Sequence, residues 1–88
     1  MTYYTFNAIE KTALRLTKIK SFKVTSIKEL YWNDMEGQNY QINIKMITED
    51  GYKNKLLKVL TNSSYLEDFE GDNLAEELED YFNGLLYA

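Results

Sequence analysis

Between Tyr40 and Val59 the chain reads as two matching halves about Asp50-Gly51, a pattern that constrains the fold more than any other feature. Tyr40, Ile42, Ile44 and Met46 alternate with Gln41, Asn43 and Lys45, the period of two of a strand with one buried face. Asp-Gly is a strong two-residue hairpin signal, because both positions tolerate positive φ. A hairpin centred there sets Ile44 opposite Leu57 and Ile42 opposite Val59, so one apolar face runs across both strands. Leu56, Leu57 and Leu60 also fit a helical spacing over 53–61; the turn chemistry and the register favour the strand. A sheet with one apolar face needs helices to cover it.

The flanking segments supply them. Asn7 and Glu10 have capping-box spacing, and Ile9, Ala13 and Leu16 recur at i, i+4 and i+7, which predicts a helix over 7–19 with Phe6 folded over its first turn. Over 21–32 the period becomes two. Phe22 and Val24 alternate with Lys23 and Thr25, while Ile27, Leu30 and Trp32 need a phase shift near Thr25–Ser26 that a bulge supplies. Gly37 marks a turn after Asn33. Beyond the hairpin, Ser64 with Glu67 opens a short helical turn carrying Leu66 and Phe69 and ended by Gly71. Asn73 with Glu76 opens a longer helix, whose Leu74, Leu78, Tyr81, Phe82 and Leu85 form a narrow apolar stripe. The predicted fold is α+β, a single domain over 1–88 in the order αβββαα, with a three-stranded antiparallel sheet packed against helices.

Eighty-eight residues hold one core, and 44% hydrophobic content is too high for a disordered chain. The absence of Cys and His excludes disulfides and thiolate metal sites and removes the commonest general base. No apolar run approaches the roughly 20 residues of a membrane span, and Met-Thr-Tyr-Tyr does not open a charged-then-apolar leader, so a cytoplasmic protein is expected. Abundant Lys, Asn, Ile, Tyr and Glu without Pro points to an AT-rich genome such as that of a low-GC bacterium or its phages. The glycines are isolated, with no phosphate loop or nucleophile motif, and the paired carboxylates fall on a convex helix face. A non-enzymatic binding protein without cofactor is expected.

Charge is divided sharply along the chain. Residues 1–58 hold all ten Lys and Arg against six acids, whereas residues 59–88 hold eight acids and no base. Those eight, Glu67, Asp68, Glu70, Asp72, Glu76, Glu77, Glu79 and Asp80, have no cation at i+4 to relieve their repulsion, and are the candidate partner-binding residues. Acting as phosphate-like anions, they would dock on a basic host protein, with a nucleic-acid-binding nuclease as the clearest instance. Asp68, Glu70, Asp72, Glu76 and Glu79 also match calcium-loop spacing, but Asn73 stands where glycine is required. Two alternatives remain open. Lys11, Arg15 and Lys18 on one face of the first helix, with Lys20, Lys23 and Lys28 following, would serve a nucleic-acid-binding module. The order helix, three strands, helix is also that of double-stranded RNA-binding domains, although the acids upstream of the last helix would repel RNA. Tyr3, Tyr4, Tyr31, Tyr65 and Tyr87 exceed what so small a core can bury, and would let the chain self-associate as a homodimer through a sheet edge.

The predicted order αβββαα, the strand around Tyr40-Gln41-Ile42 after Gly37, the acid-rich stretch from Tyr65 to Phe82, the small size and the lack of Cys together resemble small phage-encoded anti-CRISPR proteins that inhibit Cas9. The resemblance implies that the acidic surface imitates DNA and occupies the basic cleft that reads the PAM duplex.

Overall fold

The predicted hairpin is present with its predicted register: in the computed structural model Ile44 lies opposite Leu57 and Ile42 opposite Val59. The structure describes residues 3–15, 19–51, 54–67, 69 and 73–86. Its elements are β1 (Tyr3–Thr5), α1 (Phe6–Arg15), β2 (Ile19–Asn33), β3 (Gly37–Thr48), β4 (Lys55–Asn62) and α2 (Leu74–Leu86). The segment that also fitted a helix is therefore the strand β4. At the turn, Gly51 has φ 72° and donates its N–H to the Thr48 carbonyl. The Asn54 side chain then accepts the Thr48 N–H at 2.9 Å, standing in for the next ladder bond.

The sheet corrects the prediction. It has four strands in the order β1-β4-β3-β2 and is mixed, not three-stranded and antiparallel, because β1 pairs in parallel with β4 through Tyr3↔Lys58, Tyr4↔Val59 and Thr5↔Leu60. The order is βαβββα, with one helix among the described residues after β4 where two were expected. Residues 63–67 are a turn, and its cap is Asn62, not Ser64: the Asn62 side-chain oxygen accepts the N–H groups of Ser64 and Tyr65. The first helix also begins earlier than Asn7. Thr5 Oγ1 accepts the Ala8 N–H at 3.1 Å, so the last residue of β1 is the N-cap of α1. Ile19 already belongs to β2, which the predicted helix had included.

β2 runs unbroken for 15 residues, and its register against β3 shifts between Val24 and Ser26, as the change of period requires, and again at Ile19/Ser21 and Glu29/Trp32. Gly37 starts β3 with φ 78°, and its missing Cβ leaves room for Ser63, whose hydroxyl accepts the Gln38 N–H and donates to the Glu36 carbonyl.

Both helices cover one face of the sheet. Phe6 and Ile9 of α1 and Leu78 and Phe82 of α2 join Phe22, Val24, Ile42, Ile44, Met46, Leu57 and Val59 in one buried cluster. Within it Phe82 meets rings from both helices and β2, with centroids 5.2 Å from Phe6, 5.6 Å from Tyr81 and 6.0 Å from Phe22.

Candidate functional site

The position of α2 fixes what each acid can do. Asp68, Glu70 and Asp72 lie outside the described residues, so the calcium-loop spacing falls largely outside them too. Glu67 is exposed at the end of the 63–67 turn. Glu76 and Glu77 sit in the first turn of α2, where carboxylates complement the helix dipole. Glu76 and Asp80, one turn apart, are exposed, and Glu77 is half-buried. None of Glu67, Glu76, Glu77 and Asp80 makes a side-chain hydrogen bond or ion pair with another described residue.

Glu79 is different. Its Oε2 accepts the Val24 N–H at 3.0 Å, and one turn on, Asn83 accepts the Phe22 N–H at 2.7 Å while donating to the Phe22 carbonyl at 2.9 Å. β2 is an edge strand, and these two side chains occupy part of its outward backbone groups. Glu79 thus closes the sheet edge, and four of the predicted anions are left free to meet another molecule among the described residues.

Tyr81 ties α2 to α1. Its hydroxyl donates to Glu10 Oε2, and that bond, with burial and the nearby Glu10 charge, pushes its pKa up to about 12. An unfolded tyrosine titrates near pH 10. The proton is therefore held more tightly in the folded chain, and the stability it contributes is complete below about pH 10 and is lost as pH rises toward about 12. Phenolate absorbance across that window is expected to show one of the eight tyrosines titrating last, and Tyr81→Phe to remove that step. A single step near pH 10 in both proteins would contradict the Glu10–Tyr81 contact.

The cations occupy another surface. Of the first-helix set, Lys11 is exposed on α1, while Lys18 and the side chain of Arg15 are outside the described residues. The sheet face away from the helices carries Lys23, Lys28, Lys45 and Lys58. Lys23 lies directly opposite Lys45, Lys28 opposite Gln41, and Lys58 beside both Asn43 and Tyr3. Lys23 and Lys28 belong to the cationic set named from the sequence; Lys45 and Lys58 do not, although extending the hairpin register by one residue places those two on the same face. Of the tyrosines, Tyr3, Tyr31 and Tyr65 are exposed, Tyr4 is half-buried, and Tyr87 is outside the described residues. Trp32, next to Tyr31 near the β2–β3 turn, is 66% exposed.

A cleft of about 300 Å³ opens among Phe6, Tyr31, Tyr40, Thr61 and Tyr65. Among the described residues that line it, tyrosines are the only titratable groups, and these supply no carboxylate or amine for proton transfer. Among the described residues no cluster of acids could hold a metal ion, and no helix is long and apolar enough to cross a membrane.

Fold and surfaces define a class: an α+β domain with two helices on one face of a four-stranded mixed sheet, acids on the outer side of one helix and lysines on the bare sheet face. No protein-family model, curated protein or solved structure matches this chain.

Proposed function

We propose that this chain is a non-enzymatic, phage- or mobile-element-encoded binding protein whose acidic α2 surface docks on a basic, nucleic-acid-binding protein and blocks it by imitating a phosphate backbone. One observation carries the reading: Glu67, Glu76, Glu77 and Asp80 stand without cationic partners among the described residues, although the chain has ten Lys and Arg. Selection for stability alone would favour cations at i+4 along α2, yet the helix has no basic residue in its last turn. The outward side of α2 is therefore a sustained source of negative potential, suited to steering toward a basic cleft. The small size and acid-rich C-terminal part, which resemble Cas9-inhibiting anti-CRISPR proteins, make a Cas9-type PAM-reading cleft the first target to test.

The test measures binding of guide-loaded Cas9 to a PAM-bearing duplex with and without this protein. The wild-type chain is expected to suppress duplex binding, less so as salt rises. The triple variant Glu76→Lys, Glu77→Lys, Asp80→Lys is expected to lose that effect by at least about tenfold, since like charges across an interface cost several kcal/mol. Equal suppression by the variant would remove the acidic surface from the mechanism. No suppression by either protein would exclude this target.

A further inference from the structure

We infer that the bare face of the sheet is a second binding surface, for a single-stranded nucleic acid held mainly by its phosphates. Lys23 and Lys45 face each other across β2 and β3, an arrangement of like charges that weakens a sheet. Neither they nor Lys28 and Lys58 form an ion pair with a described residue. The sheet therefore carries four cations whose mutual repulsion is unrelieved, and an anionic occupant would relieve it.

The surroundings of the lysines decide which anion fits. Tyr3 is 48% exposed and Leu56 76% exposed on the same face, beside Lys58 and Lys45 respectively. A shallow groove of about 270 Å³ runs between Thr25, Asn43, Leu56 and Lys58. Its wall is amphiphilic, so the occupant must bring apolar surface as well as negative charge. The acidic helix of a second copy does not: the exposed residues of α2 are Glu76, Asp80 and Gly84, with no apolar side chain among them. A nucleic-acid duplex presents phosphates but keeps its base faces stacked inside. A single strand offers both, since unstacked bases can lie on the tyrosine ring and the leucine while phosphates meet the lysines. With Tyr3 the one ring placed beside these lysines among the described residues, stacking contributes little sequence preference and the phosphates dominate.

This surface is separate from the acidic one, so the two readings fail independently. The probe is a fluorescein-labelled oligothymidine of about 20 nucleotides, titrated with the full chain by anisotropy between about 20 and 200 mM salt. Four phosphate contacts predict that log K falls with log salt at a slope of about −3. Lys23→Gln with Lys45→Gln should bring the slope to about −1.4 and weaken binding at least tenfold at about 50 mM salt. Because this change removes a like-charge pair, the variant is expected to fold at least as well, which circular dichroism checks. The triple lysine variant of α2 should bind the oligonucleotide no more weakly than the wild type. Absence of an anisotropy change at about 20 mM salt, or equal slopes for wild type and the Lys23/Lys45 variant, would overturn the assignment. So would equal or tighter binding of a matched duplex. Low-salt self-association that the same two substitutions abolish, seen by sedimentation without oligonucleotide, would assign the face to a second copy instead.

Discussion

Phe82→Ala is expected to leave the chain largely unfolded at room temperature. The side chain is fully buried and meets the rings of Phe6, Phe22 and Tyr81, so it joins α1, α2 and β2 at one point. Truncating a fully buried Phe costs about 3–5 kcal/mol through lost transfer free energy and the cavity left behind. For a domain of this length the total stability is only about 4–13 kcal/mol, and a small core places it toward the lower end. α2 bears the greater part of the loss, since Leu78 and Phe82 are its buried residues. Phe82→Leu keeps most of the volume and is expected to cost about 1–1.5 kcal/mol. Urea unfolding followed by far-ultraviolet circular dichroism measures both. An alanine variant within about 1 kcal/mol of wild type would mean that α2 does not pack on the sheet as described.

What the sequence disclosed follows the range of the interactions involved. The hairpin register was legible because alternation is local and Asp50-Gly51 marks its midpoint, so two residue pairs of its ladder could be named in advance. The turn itself is longer than two residues, running between Thr48 and Lys55, and of Asp50 and Gly51 the glycine alone takes positive φ. The bulge after Val24 was legible as a change of phase. β1 was not. Tyr3–Thr5 is too short to show alternation, and its parallel partner β4 lies more than fifty residues away with no turn to announce the pairing. Thr5 was missed as a cap because residue 8 is Ala, so the capping box is incomplete there, while Asn7 with Glu10 presents the complete spacing. The acids show the same division. On a helical projection Glu76, Glu79 and Asp80 belong to one polar side, and nothing local separates them. Only the placement of α2 along β2 brings the Glu79 carboxylate to the Val24 N–H and leaves its neighbours exposed. The lysine face was half legible: Lys23 and Lys28 stood out as part of a cationic set and the hairpin register implies Lys45 and Lys58, but joining the two pairs on one face depends on register shifts that periodicity alone does not count.

That edge contact yields the second large effect. Asn83→Ala is expected to destabilise the fold by about 2–4 kcal/mol, more than any of the exposed acids on the same helix. The Asn83 amide binds the Phe22 backbone as another strand would, accepting its N–H and donating to its carbonyl, at a residue only 1% exposed. Alanine leaves both groups unpaired under α2, and each buried unsatisfied polar group costs about 1–3 kcal/mol. Asn83→Asp retains an acceptor for the N–H but sets a carboxylate against the carbonyl, so an intermediate loss is expected. Glu79→Gln keeps an oxygen for the Val24 N–H and should change stability by less than about 1.5 kcal/mol. Amide hydrogen exchange supplies the local readout: protection at Phe22 should fall in Asn83→Ala further than the global loss of stability accounts for. The uncovered backbone would also present a longer free edge, so sedimentation should detect association in Asn83→Ala at concentrations where the wild type shows none. If Asn83→Ala matched the wild type in urea midpoint and in Phe22 protection, the amide would not be holding that edge, and Glu79 would rejoin Glu76 and Asp80 as a free anion on the outer side of α2.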